Sequence, residues 1–383
     1  MSDRACMASC ASFAKVVIVA PVPPPYGGMA LQATLLAKLL AEEGIAVEVL
    51  GHNQPFRRRF RLLESISGLR TLVRTLVFVA RLWRRASKNC VIHVFACSWL
   101  YFFLIVSPTV LVGRLKRKRV LLNYRGGDAD QFLKRFRYLA EPVFRTADLV
   151  TAPSRFLAGV IEQRLEMSVT VVPNIVDLSL FSFRVRTEFQ PKMLVTRHLE
   201  KLYGVDTVLQ AFRIIQQRHP NASLTVAGAG RQEAHLRGLV SEWRLRNVEF
   251  LGYVGTKDLP RLYDECDILL NGSRVDNFPA SLIEAAAAGL VVISTNAGGI
   301  PSIFESDKNA LLVNIDDSKA LALAVDRVLQ DQDLGVTLAK AALQVAQRCD
   351  WSKVRGALFA SYGFAAPTHH LSISAAQAAG SET

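Results

Sequence analysis

Two carboxylates stand eight residues apart in the segment SRVDNFPASLIEAAAAGLVVISTNAGG, which covers residues 273–299. The pattern predicts a loop that holds Asp276, followed by a helix that Pro279 opens and that carries Glu284. Carboxylates so placed can accept hydrogen bonds from sugar hydroxyls, while backbone amides at the start of the helix can meet a phosphate. The residues that would line this phosphate site are Asn277, Phe278, Pro279, Ala280 and Ser281.

A simpler interpretation gives neither carboxylate a ligand. Asp276 would only complement the helix dipole, and Glu284 would be a solvated helix residue. Glu284, however, is embedded in SLIEAAAAGLVVIS, a small and apolar helix that should be packed. Because a buried acid needs polar partners, this context favours a binding function.

A second candidate anion site lies in the loop PVPPPYGGMA, residues 21–30. Its prolines stiffen the chain, and Gly27 and Gly28 let the backbone approach a ligand closely. The helix expected to begin near Met29 would direct free amides at that ligand. An ordinary tight turn fits the loop equally well, and the glycine spacing is not that of a dinucleotide-binding fingerprint.

Strand and helix patterns alternate around these loops, which implies parallel sheets covered by helices on both faces. The strands are predicted at 15–20, 45–50, 91–95, 120–124, 148–151 and 169–172, and again at 193–196, 223–227, 248–251, 268–271, 291–294 and 310–313. The alternation breaks at 173–192, which we interpret as a linker. The fold class is therefore α/β, with two doubly wound domains and a ligand cleft at the carboxyl ends of their strands.

The composition of the 383 residues excludes several classes of protein. Half of the chain is apolar and 21% is charged, so it is neither disordered nor collagen-like. Six cysteines without a CxxC pair argue against a disulfide scaffold or a structural zinc site and favour a reduced, cytosolic compartment.

The net charge of +13 is unevenly distributed. Residues 1–180 hold 25 Lys and Arg against 12 Asp and Glu, whereas residues 181–383 hold 21 of each. Between residues 56 and 119 there are 15 basic residues and a single acid, Glu64. Such a field attracts phosphates, and because aromatic residues are not interleaved as in RNA-binding proteins, an anionic membrane surface is favoured over nucleic acid.

Residues 90–113 contain no charged side chain and precede a basic cluster, which satisfies the rule for a membrane-spanning helix. We favour the alternative of a buried strand, a turn at 96–98 and an apolar helix closed by Pro108 or Gly113. The preceding stretch 57–87 is then a basic helix lying in the membrane interface. Its apolar side would consist of Phe60, Leu62, Leu63, Leu72, Val73, Leu76, Val77 and Phe78.

Taken together, these motifs resemble those of the family 4 glycosyltransferases of GT-B fold, over about residues 16–362. The Pro-rich Gly-Gly loop is at 23–28, and the family's Glu-x7-Glu signature is present as Asp276-x7-Glu284. A later Gly-Gly pair stands at 298–299, and the linker carries Pro173, Asn174, Asp177 and Phe181 in the family's spacing. The resemblance implies transfer of a sugar from a nucleotide diphosphate-sugar with retention of configuration, and with no cofactor or obligatory metal.

The resemblance also implies roles for single residues. Glu284 would bind the ribose hydroxyls, Asp276 would lie at the donor sugar, and Arg197 would hold the diphosphate with paired donors. Gly27 and Gly28 would contact the diphosphate from the first domain. Gly228, in the loop GAGR, would line the donor site, although a plain turn there is as good an interpretation.

Three positions depart from the family pattern. The carboxylate often found three residues after the second glycine of the later Gly-Gly pair is Ser302 here. The usual Lys five residues after the arginine is Leu202 here, with Lys201 one residue early as the candidate replacement. The usual His-Gly of the first domain is replaced by Arg125 before a Gly-Gly pair. Because an arginine is no plausible general base, Arg125 would bind charge.

We thus expect a retaining glycosyltransferase that acts on a lipid-linked or polysaccharide acceptor at the cytoplasmic membrane face. Residues 1–13 are expected to be flexible, 14–180 to form the acceptor domain, 181–350 the donor domain, 351–363 a helix that could cross back, and 364–383 a flexible tail. The alternatives are a nucleotide-sugar epimerase, which would need an acid–base array that we do not find, and a non-catalytic basic membrane-binding module.

Overall fold

The computed structural model describes residues 15–24, 27–53, 67–87 and 89–364. The terminal segments expected to be flexible therefore lie almost wholly outside the described residues. The same holds for Arg57, Arg58, Arg59 and Arg61 of the basic stretch.

The first domain is built on a six-stranded, wholly parallel sheet in the order β2-β1-β3-β4-β5-β6. Its β-branched runs are buried on both faces, as crossover helices require. The strands are β1 Lys15–Ala20, β2 Ala46–Gly51, β3 Cys90–Ala96, β4 Arg119–Tyr124, β5 Leu149–Ala152 and β6 Thr170–Val171. The helices are α1 Gly28–Glu42, α2 Ser67–Arg85, α3 Ser107–Leu115, α4 Ala129–Thr146 and α5 Arg155–Leu165.

The second domain repeats this architecture with the sheet order β12-β11-β10-β7-β8-β9. Its strands are β7 Lys192–Thr196, β8 Ser223–Ala227, β9 Val248–Gly252, β10 Ile268–Asn271, β11 Val291–Thr295 and β12 Leu311–Val313. Its helices are α6 Val205–Arg218, α7 Glu233–Glu242, α8 Leu259–Glu265, α9 Ala280–Ala288, α10 Ser318–Gln330 and α11 Gln332–Gln347. The predicted fold class of two Rossmann-like parallel-sheet domains is confirmed.

A last helix, α12 Trp351–Tyr362, packs on the first sheet, although it follows the second domain in the chain. Val354, Leu358 and Phe359 lie in one apolar cluster with α1 and strands β1 and β3. On the opposite face of that sheet, α2, α3, α4 and α5 share a second cluster. The first domain therefore has α1 and α12 on one side and four helices on the other.

The uncharged stretch 90–113 forms a buried strand, β3, followed by a turn of π-helix at Phe102–Val106 and by α3. Among the described residues, no helix combines the length and the apolar character needed to cross a bilayer. The expected helix end at Pro108 or Gly113 is wrong, because α3 continues to Leu115. Pro108 directly follows the π-helical turn inside a helical run that continues from Leu100 to Leu115, and the wider turn accommodates a residue without an N–H.

Candidate active site

Each sheet reverses its strand order at one point, and the candidate residues gather there. In the second sheet the reversal falls between β7 and β10, whose carboxyl ends lead directly to Arg197 and to the loop after Asn271. In the first sheet it falls between β1 and β3, ahead of the Gly27–Gly28 loop. Crevices at such reversals are the usual ligand sites of open α/β sheets.

Arg197 is fixed on three sides. Its Nε donates to Oδ1 of Asn271 at 2.9 Å, its Nη2 pairs with Oδ2 of Asp276, and its guanidinium lies over the Tyr203 ring at 5.1 Å. The side chains of Arg197 and Asp276 are only 12% and 10% exposed. The structure thus brings two predicted site residues together in a nearly buried ion pair.

The Asp276 loop is held by close backbone packing against the later Gly-Gly turn. The amide of Gly299 donates to the carbonyl of Asp276 at 2.8 Å. Gly298 adopts φ +52°, and a Cβ there would overlap the same carbonyl oxygen. The Gly-Gly pair therefore shapes the loop that carries the carboxylate.

Glu284 lies on α9 with a buried partner beneath it. The hydroxyl of Tyr263 donates to Glu284 Oε2 at 2.8 Å and lies 2.9 Å from the Thr196 hydroxyl at the end of β7. Burial raises the pKa of Glu284, and the Tyr263 hydrogen bond and the charge of Arg197 oppose that shift. The carboxylate is therefore packed and partnered at the crevice, as its apolar sequence context predicted.

The first turn of α9 presents polar groups that have no protein partner. Pro279 occupies the N-cap, and no side chain caps the helix, so its leading amides are not satisfied by a cap. Oδ1 of Asn277 and Oγ of Ser281 are buried without a hydrogen bond. Ala280 and Ser281 are the first two residues of this helix. Buried polar atoms of this kind need a partner, either a ligand group or a water molecule, because leaving them unsatisfied is costly.

The same turn touches the first domain. The side-chain amide of Asn277 donates to the carbonyls of Arg125 and Gly126 at 3.1 and 2.9 Å. Because both acceptors are carbonyls, the NH2 group must face them, and Oδ1 turns the other way. Asn174 Nδ2 donates to the Phe278 carbonyl at 3.0 Å. The start of α9 is thereby fixed against the Arg125–Gly126 loop of the first domain.

Arg125 is held within the first domain rather than aimed at Asp276. Its Nη2 bonds to Asn174, its Nη1 lies 3.5 Å from Asn123 Oδ1, and its guanidinium lies 4.6 Å from the Phe95 ring centroid. Burial lowers its pKa to about 10, so it remains a cation at neutral pH. Its role as a charge-binding residue of the reaction stays a prediction.

Lys201 lies on an exposed turn of 3-10 helix, Lys201–Tyr203, at the rim of the crevice. Its carbonyl accepts a hydrogen bond from Arg274 at 2.6 Å, and Arg274 in turn makes a two-pronged ion pair with Asp206 at 2.9 and 3.0 Å. The turn is therefore fixed while the Lys201 side chain is exposed. Its role as the lysine that binds the diphosphate stays a prediction.

The three predicted glycines differ in their surroundings. A Cβ at Gly228 would overlap the Arg197 carbonyl oxygen, so this glycine permits the close packing that positions the arginine. A Cβ added at Gly27 or Gly28 would have no atom within 4 Å. Gly27 is the N-cap residue of α1, and no side chain caps this helix. Pro25 and Tyr26 of this loop lie outside the described residues.

Sequence reasoning missed residues that hold the site from behind. Asn271 Oδ1 accepts from both Arg197 and Ser273, and its amide donates to Ser294 at 2.9 Å. Tyr263 is the buried partner of Glu284. A signal was present for Asn271, since a polar residue that ends the apolar strand ILLN must face the crevice edge. Tyr263, in an ordinary amphipathic helix, gave none.

Comparison with known protein families assigns both halves of the chain. Residues 181–345 match the model described as glycosyl transferases group 1, and residues 26–180 match the glycosyltransferase family 4 model. Similar curated proteins include a putative colanic acid biosynthesis glycosyltransferase of Escherichia coli, 28% identical over 216 residues, with 52% of this chain and 53% of that protein covered. A glycogen synthase of Mycobacterium tuberculosis is 29% identical over 190 residues, with 49% and 46% covered. The chain thus spans about half the length of these relatives.

Solved structures show the fold. HepE of Anabaena in complex with UDP superimposes with a TM-score of 0.70 at 19% identity, covering 91% of this chain and 98% of that one. Sucrose-phosphate synthase of Thermosynechococcus elongatus also gives 0.70 at 19% identity, covering 90% and 98%. Both match the two-domain arrangement of this chain. With its two halves matched in order by the paired domain models over residues 26–345, the chain belongs to the family 4 glycosyltransferases.

Proposed function

We propose that this protein is a retaining glycosyltransferase, independent of metal, that moves a sugar from a nucleotide diphosphate-sugar to a lipid-linked or polysaccharide acceptor at the cytoplasmic membrane face. The observation that carries the proposal is the convergence of Arg197, Asp276 and Glu284 on the unsatisfied first turn of α9. A cation, a helix N-terminus and two carboxylates together complement a diphosphate joined to two sugars.

We assign each chemical group of the donor to the residue that would bind it. Glu284 accepts hydrogen bonds from the ribose hydroxyls, with Tyr263 steadying it from below. Arg197 and the first amides of α9 bind the diphosphate, the Ser281 hydroxyl donates a further hydrogen bond to it, and Asn277 Oδ1 accepts one from a sugar hydroxyl. The HepE structures with UDP and with UDP-glucose support a uridine nucleotide as the first donor to test.

The reaction breaks the bond between the anomeric carbon and a phosphate oxygen, and the electron pair leaves with the nucleotide diphosphate. The acceptor oxygen forms the new bond on the same face of the sugar, and its proton passes to the departing phosphate oxygen. Negative charge therefore grows on the leaving phosphate as the transition state is reached. Groups already aimed there, Arg197 and the α9 amides, stabilise that charge without rearrangement.

The thermal stability of the protein in the presence of nucleotide sugars tests the proposal. A ligand present at about 100 times its Kd adds about 2.7 kcal/mol to the free energy of unfolding, which is readily detected. We expect stabilisation by one nucleotide diphosphate-sugar and its nucleoside diphosphate, unchanged by a metal chelator. A panel of uridine, guanosine, adenosine and thymidine donors that all fail to stabilise the protein would contradict the proposal.

Peripheral attachment to the membrane is the second part of the proposal, supported by the basic excess of residues 1–180. Recovery in the membrane fraction at low salt and release by high salt or alkaline carbonate are expected. Replacing Arg57, Arg58, Arg59 and Arg61 by glutamine should move the protein to the soluble fraction with donor binding intact. Extraction by detergent alone would contradict peripheral attachment.

A further inference from the structure

Three helices of the first domain turn their outer faces in one direction. Phe78 and Leu82 of α2, Val110 of α3 and Phe132 of α4 belong to a single apolar cluster on one face of the first sheet. The expectation that Phe78 contacts lipid is therefore wrong, since this side chain is buried in the core. The opposite sides of these helices point away from the sheet.

Those outer sides carry large apolar residues at helical spacing. On α2 they are Leu72, Leu76 and Trp83, and on α3 they are Leu111 and Leu115, exposed by 45% to 63%. Leu72 and Leu76 are one turn apart, Trp83 follows two turns later, and Leu111 and Leu115 are again one turn apart. We call these five residues the α2–α3 patch.

A cation joins the two stripes of this patch. Lys116, just after α3, donates to the carbonyls of Trp83 and Ala86 at 2.6 and 2.9 Å. Its ammonium also lies 5.1 Å from the centroid of the Trp83 ring. The end of α3 is thereby fixed to the end of α2, so the exposed side chains of the two helices form one surface.

The rim of the α2–α3 patch is basic. Arg84, Arg114 and Arg117 are exposed around it, and residues 67–119 contain no Asp or Glu. Clustered exposed apolar side chains mark interaction surfaces, and a cationic rim complements an anionic partner. Leucine and tryptophan inside an arginine rim are typical of surfaces that lie in a lipid interface.

Two further exposed residues lie at the other end of α3. Leu100, which is 65% exposed, follows β3 at the same end of the sheet as the Arg125–Gly127 loop. Trp99 beside it packs against Phe132 and Phe136 of α4 and donates to Asp128 Oδ2 at 3.1 Å. Trp83 and Leu115, by contrast, stand just before β3 and β4, so this part of the α2–α3 patch lies at the opposite, amino edge of the sheet.

We infer that the α2–α3 patch docks on an anionic lipid bilayer, with its leucines and Trp83 at the acyl boundary and Arg84, Arg114 and Arg117 on lipid phosphates. This deepens the membrane partner of the proposed function and rests on it only for the location of the acceptor.

The test is sedimentation of the full-length protein with vesicles of phosphatidylcholine, alone or mixed with phosphatidylglycerol. Leu111→Gln with Leu115→Gln removes apolar contacts without changing charge, and Arg84→Gln with Arg114→Gln removes two charges. The matched controls in the second domain are the exposed Leu323→Gln and the pair Lys340→Gln and Arg348→Gln. Nucleotide affinity is measured for every variant, so that failure of docking and failure of donor binding are separate results.

We expect binding to mixed vesicles only. The variant Arg84→Gln with Arg114→Gln should bind these vesicles roughly 30-fold more weakly and with a smaller dependence on salt. The variant Leu111→Gln with Leu115→Gln should bind them roughly tenfold more weakly, or less tightly still. The controls should bind vesicles like the wild type, and all variants should bind nucleotide equally. Wild-type vesicle binding by the leucine pair would overturn the inference, as would loss of a dimer by the same variant in light scattering, which would assign the patch to a second copy.

Discussion

At Glu284 a carboxyl group lies in an otherwise apolar helix, and its neighbours favour its charged form against the effect of burial. The Tyr263 hydroxyl donates to it at 2.8 Å, and the positive charge of Arg197 acts on it across the crevice. The position was predictable, because an acid in an apolar helix is conspicuous in a sequence. Its partner was not, since Tyr263 approaches from another helix through tertiary packing alone.

Substitution of Glu284 by glutamine should leave the fold intact and weaken nucleotide binding. Losing a charge-assisted hydrogen bond to the ribose costs about 1.5–3 kcal/mol, or roughly 10- to 150-fold in affinity. Isothermal calorimetry with the nucleoside diphosphate measures this. Glu242→Gln, at an exposed position on α7, is the matched control and should bind like the wild type. Unchanged affinity in Glu284→Gln would remove this residue from the ribose site.

The stability of Glu284→Gln relative to the wild type should depend on pH, because the Glu284 carboxyl is buried. Burial raises the pKa of Glu284 above its ordinary value of 4.5, so the folded protein holds this proton more tightly than the unfolded chain does. The group's favourable contribution is then present below pH 4.5 and is lost as the pH rises through the raised folded pKa. Urea unfolding should therefore show Glu284→Gln gaining stability relative to the wild type as the pH rises from 4.5 toward neutrality. A difference that does not change with pH would contradict this.

Arg197 should matter more for turnover than for donor binding. Arg197→Lys keeps the positive charge but loses the paired geometry that follows charge onto the leaving diphosphate. We expect kcat to fall by a larger factor than donor affinity, measured by steady-state kinetics beside calorimetry. Arg237→Lys on the surface of α7 should change neither quantity. Equal turnover in Arg197→Lys and the wild type would place Arg197 outside the site.

At the scale of elements, a series of hydrogen-bonded polar side chains links α12 to the start of α9. Tyr362 bonds to Nδ1 of His93 at 2.8 Å, and Asn123 lies 3.2 Å from His93 Nε2. Asn123 neighbours Arg125, which bonds to Asn174, the donor to the Phe278 carbonyl. Burial and the charge of Arg125 lower the pKa of His93 to about 3, so the imidazole is neutral at physiological pH.

Breaking the first link of this line should destabilise the protein. Tyr362→Phe leaves His93 Nδ1 buried without a partner, at a cost of about 1–3 kcal/mol in the free energy of unfolding. Tyr138→Phe is the control, because Tyr138 is 90% exposed and its change should fall within about 0.5 kcal/mol. Denaturant unfolding of both variants provides the comparison. Equal stabilities would mean that the hydroxyl of Tyr362 contributes nothing to the packing of α12.

The order and type of the elements followed from hydrophobic periodicity, and the bounds of Trp351–Tyr362 agree with the sequence interpretation. The errors have local causes. Pro108 was taken as a helix end, but it lies inside a continuous helical run, just after a π-helical turn that accommodates it. Phe78 was assigned to a lipid face, but it packs on the sheet, because a helix with apolar residues on both sides does not indicate which side is buried.

Over the whole molecule, the candidate site residues and the basic surface lie mainly in different halves of the chain, as the uneven charge distribution suggested. The neutral second half provides Arg197, Asp276 and Glu284 at the reversal of its sheet, and the basic first half provides Arg125 and the α2–α3 patch. The cleft between them could be predicted from the strand alternation. The contact of Asn277 with the Arg125 and Gly126 carbonyls could not, since it depends on how the two domains meet.

The most direct measurement of the central claim is a crystal structure of the full chain with the nucleotide diphosphate selected by thermal stabilisation. The ribose hydroxyls are expected within hydrogen-bond distance of the Glu284 carboxylate. The phosphate oxygens are expected on the guanidinium of Arg197 and the first amides of α9. A nucleotide bound elsewhere, or bound here with its ribose away from Glu284 and its phosphates away from Arg197, would contradict the account.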